Sequence, residues 1–115
     1  MEEIYSVLRL YVSNTDKIGL DTVYEYIVQK AHKQGISGAT VYKGVMGYGL
    51  SSDKIVSARF WEISEKLPVV VEIIDKTEVL QSFYKTIENE LKALGKGCLV
   101  YMIPINVLLH QSGKK

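Results

Sequence analysis

Two segments punctuated by glycine are where this sequence first points to chemistry. Gly44, Gly47 and Gly49 fall within six residues, at the end of a β-forming run that starts at Ala39. Gly95-Lys96-Gly97 follows a long apolar stripe of helical period. Glycine weakens a strand, so such a cluster marks a tight bend or a place where a ligand or another backbone comes close. Glycine-rich turns also let successive backbone N–H groups converge on an anion, and Lys96 would add a point charge. The plainer alternative for Gly95-Lys96-Gly97 is a helix cap and turn. Neither segment has the Walker spacing.

Other reactive residue types are sparse. Glu72 is the lone charge in the apolar run from Pro68 to Ile74, so it must face solvent, a partner or a ligand. Its alternative is an inter-subunit ion pair with Arg9, Lys43 or Arg59. His32, His110 and Cys98 are too scattered for a zinc or copper site, and no metal is expected. His32 near a helix end simply favours the dipole. Cys98 opens a strand and reads as a small packing residue. Nothing supplies a base beside Ser51 or Ser52, and Ser13 to Gly19 lacks the arginine an acylphosphatase-like phosphate loop requires. An enzyme is therefore not expected.

Composition sets the frame. The chain has 115 residues, 47% hydrophobic and 23% charged, with a net charge of +1. That suits one soluble domain over residues 1–115, with a frayed tail at 107–115. The charge total gives no footprint for nucleic acid. Lys43 to Tyr48 faintly echoes an RNA-recognition strand, but on the second strand, where that motif does not belong. A single cysteine excludes an internal disulfide and fits a reducing compartment. With no apolar run near membrane-spanning length and no signal-peptide pattern, the expected location is cytoplasmic.

Four strands and two helices must position the glycines. Alternation predicts a strand over Ile4 to Val12, with Ile4, Leu8, Leu10 and Val12 on one face and Tyr5, Val7, Arg9 and Tyr11 on the other. A polar connection follows, then a helix whose stripe runs from Leu20 through Val23, Ile27 and Ala31 to a cap at Gly35. Ala39 to Met46 is the second strand. An intervening loop, Tyr48 to Lys66, is long enough to be functional. Pro68 to Ile74 is the third strand, with proline at its start. Asp75 to Glu78 has capping-box spacing for a second helix that ends at Gly95. Cys98 to Asn106 is the fourth strand. The order β-α-β-β-α-β predicts an α+β, ferredoxin-like fold: a four-stranded antiparallel sheet with both helices on one face. The other face should be polar, yet the third and fourth strands carry apolar residues on both sides. That predicts an association surface and a homo-oligomer; the alternative is the long loop folding back over it.

The residues also resemble a known group. Gly38-Ala-Thr-Val-Tyr-Lys-Gly-Val-Met-Gly-Tyr-Gly49, Leu67-Pro-Val-Val-Val-Glu-Ile-Ile-Asp75 and Gly95-Lys-Gly97 resemble the PII-like signalling proteins, within their PII-like domain family of unknown function. The resemblance covers about Ile4 to Asn106. It implies a homotrimer that binds an adenine nucleotide in clefts between subunits and signals through the loop after the second strand. By that likeness Gly47, Tyr48 and Gly49 form the loop base, Thr40 lies near the adenine, Gly95, Lys96 and Gly97 turn around the phosphates, and Glu72 matches a third-strand glutamate. The loop would present Tyr48, Phe60 and Trp61 to an unidentified target protein, with a membrane channel or transporter one kind of partner the family implies.

The departures from PII proteins are specific. Where they carry Arg-Gln after the loop-base glycines, this chain has Leu50-Ser51; their phosphate-turn lysine falls on Cys98; their C-terminal Arg-x-Arg has no match in Val107 to Gln111. Each missing charge-assisted hydrogen bond would weaken phosphate binding by roughly 1.5–3 kcal/mol. ADP or AMP is therefore expected over Mg-ATP with 2-oxoglutarate. The alternative function is an oligomeric scaffold resembling the CutA trimers, without a nucleotide role.

Overall fold

The computed structural model describes residues 4–49, 52–57 and 66–113. Its framework is β1 (Tyr5–Ser13), β2 (Lys17–Ile18), β3 (Asp21–Thr22), α1 (Val23–Lys33), β4 (Ala39–Lys43), β5 (Met46–Gly49), β6 (Ser52–Ser57), β7 (Pro68–Lys76), α2 (Thr77–Leu94) and β8 (Leu99–Ile105). Four strands form one antiparallel sheet in the order β4-β7-β1-β8. This is the expected α+β, ferredoxin-like arrangement: β1 and β7 lie in the middle, and β4 and β8 are the edges.

The core sits between the helices and one sheet face. Leu8, Leu10 and Val12 of β1 and Val69, Val71 and Ile73 of β7 point into it. Val23, Ile27 and Ala31 of α1 and Leu80, Phe83, Ile87 and Leu91 of α2 meet them, at the helical spacing that the sequence carries. Burying this stripe against the sheet is what holds both helices; fully buried aliphatic side chains contribute on the order of 1.5–3 kcal/mol each.

Three local expectations are corrected. The first helix starts at Val23, not near Leu20. Residues 17–22 instead form a two-strand hairpin turning at Gly19, whose φ is +63°, and Leu20 at its tip is 98% exposed. Thr22 then caps the helix: its Oγ1 accepts from Glu25 N at 3.3 Å while Glu25 Oε1 accepts from Thr22 N at 3.4 Å. The second helix lacks the expected box. Asp75 stays in β7, where Oδ2 accepts from Ser37 N at 3.1 Å and Oδ1 from Lys76 N at 2.7 Å. Its carboxylate is thus spent tying the α1–β4 turn to β7. The third correction concerns the second strand. It breaks after Lys43, and within the expected loop β5 pairs antiparallel with β6, so that Ser52–Ser57 is strand.

Gly44 explains the break. Its N–H donates to Pro68 O at 2.7 Å, and a Cβ there would stand 2.7 Å from Pro68 Cγ. Only glycine lets the backbone pass the proline ring so closely. At the other root of the 48–66 segment, Asn14 N donates to Leu67 O at 3.0 Å and Leu67 N to Asn14 Oδ1 at 2.9 Å. Lys66 Nζ lies 3.7 Å from the buried Asp16 carboxylate. Both roots are therefore pinned beside Pro68.

Candidate functional site

The sheet face away from the helices carries a polar row across an apolar field. Register places Thr40 beside Glu72, Glu72 beside Arg9 and Arg9 beside Tyr101, one residue from each strand. Arg9 Nε donates to Glu72 Oε2 at 2.9 Å, and Nη1 donates to Tyr101 OH at 3.2 Å. Tyr11 OH lies 3.3 Å from the same phenol oxygen, with the two rings 5.9 Å apart. The sequence raised Arg9 as an inter-subunit partner of Glu72; the pair forms within one chain.

This row tunes its own members. Hydrogen bonding to Tyr11 and then to Arg9 stabilises the Tyr101 phenolate and lowers its pKa. Tyr11, bonded to Tyr101, is pushed the other way. Arg9 is held more firmly protonated by Tyr101 and Glu72. Around the row, Tyr42, Ile74, Leu99 and Ile103 remain exposed, so the described residues leave this face open.

A cleft of about 380 Å³ crosses the sheet at the end where β1 and β4 begin and β8 finishes, lined from all four strands. Thr40, Glu72 and Ile74 line its floor. Tyr5 and Ile105 come from the strands beyond, and Ser37 and Gly38 from the turn before β4. Val107, Leu109 and His110 of the C-terminal tail complete it. Ser37 Oγ already donates to Ile74 O at 2.8 Å, which fixes the turn. The cleft therefore joins two of the sequence-predicted site residues, Thr40 and Glu72.

The remaining ones lie elsewhere. Gly47, Tyr48 and Gly49 belong to β5 beyond the far end of β4, with Tyr48 72% exposed. Gly95 caps α2 with φ +69°; exposed Lys96 and half-buried Gly97 lead into β8. Both glycine segments adjoin the same end of the sheet, since Lys43 pairs with Val69, Val69 with Val12, and Leu99 with Tyr11 next to it. They sit at opposite edges, with β7 and β1 between the edge strands, a span of about 14 Å at the usual strand spacing. One chain does not bring them together. Phe60 and Trp61 lie outside the described residues.

Gly47 and Gly49 differ from Gly44. An added Cβ at Gly47 meets Pro68 Cγ only at 3.4 Å, and at Gly49 no atom of the described residues lies within 4 Å; neither has a positive φ. Of Gly44, Gly47 and Gly49, packing among the described residues requires glycine only at Gly44.

The residues that sequence reading missed are Tyr101, Tyr11 and the tail. Tyr101 and Tyr11 follow from strand alternation once β1 and β8 are known to be neighbours. The tail carries no periodic signal. Among the described residues, no group of three or more His, Cys, Asp and Glu is placed to hold a metal, and no helix is long and apolar enough to cross a membrane.

Comparison with known proteins places this geometry. The family DUF190, described as "Uncharacterized ACR, COG1993", matches residues 5–107. The chain belongs to that family. A UPF0166 protein of Methanocaldococcus jannaschii is 34% identical over 99 residues, covering 83% of this chain and 90% of the relative. One from Aquifex aeolicus is 32% identical over 88 residues, covering 76% and 83%. Among solved structures, CPII of Thiomonas intermedia K12, a nitrogen regulatory PII-like protein bound to ADP, AMP and bicarbonate, superposes with a TM-score of 0.59 at 13% identity, covering 89% of this chain and 88% of that one. A protein described as PII-like signalling from Thermus thermophilus gives 0.62 at 12% identity, covering 90% and 88%. This DUF190 chain thus has the PII-like fold.

Proposed function

We propose that this DUF190 chain is a homotrimeric, non-catalytic regulator that binds an adenine nucleotide in clefts between subunits. The observation that carries the reading is the placement of the two glycine segments. They adjoin one end of the sheet at opposite edges, so a second copy is the economical way to set one against the other. The open apolar face supplies a reason for copies to associate. Thr40 and Glu72 then take the nucleoside end, and Gly47, Gly49, Gly95, Lys96 and Gly97 line the path of the phosphates. The PII-like neighbour bound to ADP and AMP supports the ligand class.

Glycines at 47 and 49 that packing among the described residues does not require fit a close approach by another molecule. The 48–66 segment, whose roots are pinned beside Pro68, reports ligand to a target protein through Tyr48, Phe60 and Trp61 in this reading. Such reporting requires that ligand favour one arrangement of the segment over another. A membrane channel or transporter is one target class for such a soluble signal. Missing phosphate cations favour ADP or AMP over Mg-ATP, and no metal is called for.

Light scattering and calorimetric titration with AMP, ADP and ATP test the proposal. A mass of three chains is expected, with ADP or AMP bound more tightly than Mg-ATP. A protein that binds none of them removes the nucleotide reading. The CutA-like scaffold reading draws on Gly44, whose glycine is accounted for by packing against Pro68. It predicts that the pair Gly47→Val and Gly97→Val alters no ligand affinity, whereas the regulator reading predicts its loss.

A further inference from the structure

Strand register sorts the open face of the sheet into rows that run across the strands. The row Thr40, Glu72, Arg9 and Tyr101 is polar throughout. Two residues along in one direction, Tyr42, Val70, Tyr11 and Leu99 form an aromatic and aliphatic row. Two residues along in the other, Ile74, Val7 and Ile103 form a wholly aliphatic one. Each step is about 7 Å along a strand. The face is therefore one polar band between two apolar ones. Tyr11 leans from its apolar row to bring its hydroxyl 3.3 Å from that of Tyr101.

One chain completes the polar band only in part. Arg9 spends Nε on Glu72 and Nη1 on Tyr101, and its other guanidinium N–H groups have no hydrogen-bond partner among the described residues. The Arg9 and Glu72 side chains are 34% and 20% exposed, so water can serve these groups in a single chain. A second copy that covers the face removes that water and must offer polar atoms at the same level. In a closed ring of copies each residue recurs at one height along the symmetry axis, so polar band meets polar band. The charges of Arg9 and Glu72 cancel, and like bands meet without net repulsion. A slip of one row would press the ion pair of one copy against Ile74, Val7 and Ile103 of the next, where nothing compensates its desolvation.

We propose that the Glu72–Arg9–Tyr101 band, with the Tyr11 hydroxyl, is the register key of the interface between copies of this chain. The apolar rows supply the attraction; the band sets the level at which copies meet and how many close the ring. The inference rests on the homotrimer reading above and adds the residues that fix its stoichiometry. A single polar position in an apolar seam does the same for coiled coils, at some cost in stability. Thr40, at the β4 edge of the row, is left to the nucleotide cleft.

Sedimentation velocity of the full chain without nucleotide, over a wide range of concentration, tests the key. The unaltered chain should sediment as one species of three chains. Arg9→Met with Glu72→Leu removes both charges and adds apolar surface, so it should still associate, but as a mixture of stoichiometries that shifts with concentration. Arg9→Met alone strands the Glu72 carboxylate in the interface and should weaken association by about tenfold or more. Should circular dichroism show the double variant unfolded, Tyr101→Phe decides in its place, with the same spread of stoichiometries expected. A deciding variant that keeps a single three-chain species, or that falls to single chains, overturns the key and leaves the trimer standing. So does an Arg9→Met chain that associates as tightly as the unaltered one. If the unaltered chain is itself anything but a species of three, the trimer reading falls and the key falls with it.

Discussion

Replacing Gly44 by alanine should destabilise the fold, and replacing Gly49 should not. At Gly44 the new methyl would stand 2.7 Å from Pro68 Cγ and 3.1 Å from Pro68 O. Neither atom can yield cheaply. The ring carbon belongs to a closed pyrrolidine, and the oxygen accepts the Gly44 N–H at 2.7 Å. Pro68 is itself paired with Ser13 in β1. Overpacking of this kind costs about 1–3 kcal/mol, and loosening the hydrogen bond adds about 0.5–1.5. Restricting the unfolded chain returns about 0.4–1 kcal/mol. The net expectation is a loss of about 1–3 kcal/mol. Gly49→Ala meets no atom of the described residues within 4 Å and a φ that alanine tolerates, so only the unfolded-state gain of about 0.4–1 kcal/mol remains. Urea unfolding followed by circular dichroism, at one fixed protein concentration, reads the difference as a shift in midpoint at constant m. If Gly44→Ala unfolds at the same urea concentration as Gly49→Ala or higher, the close approach of residues 44 and 68 does not hold that root of the segment, and the reasoning fails.

Two further expectations concern titration. Tyr101 should be the first phenol to ionise, because Tyr11 and Arg9 both stabilise its phenolate. A depressed folded-state value means its contribution is complete above the ordinary 10.0 and is lost as pH falls through the lower folded value. Alkaline absorbance titration should therefore lose its earliest tyrosinate in Tyr101→Phe and see it delayed in Arg9→Met; an unchanged first step in both would contradict the row of contacts. Glu90 is held below its ordinary 4.5 by the Tyr26 hydroxyl, with Lys30 also contributing. Its stabilisation is present above 4.5 and disappears as pH falls through the depressed value, so Glu90→Gln should flatten the acid limb of thermal midpoint against pH, and an identical limb would show that the contact carries nothing.

Legibility in the sequence tracked how local each cause was. α2 could be read almost to the residue, because a stripe at helical period and a left-handed Gly95 are both encoded within the helix and its cap. α1 was misplaced by three residues because Leu20 mimics the stripe. The competing signal, Thr22 with Glu25 three residues on, is equally local and was there to be used. The Asp75 box failed for a different reason. Its spacing was right, but Ser37, distant in sequence, offers a backbone donor that captures the carboxylate. Capping propensity is a preference that a tertiary partner can override.

The sequence by itself determined the order of the four sheet strands and two helices, the face that each helix buries, and the presence of a lone Glu72 and two glycine segments. These follow from periodicity and from residue type, which each short stretch carries alone. Only the tertiary structure decided what those residues meet. Strand register set Glu72 against Arg9 and Tyr101, and a proline remote in sequence, Pro68, accounts for Gly44. The same structure brought an aperiodic tail beside Thr40 and held the glycine segments on opposite edges of one sheet. Lateral neighbours in a sheet are fixed by pairing between remote segments, and no pattern within a single strand records which strand will lie beside it.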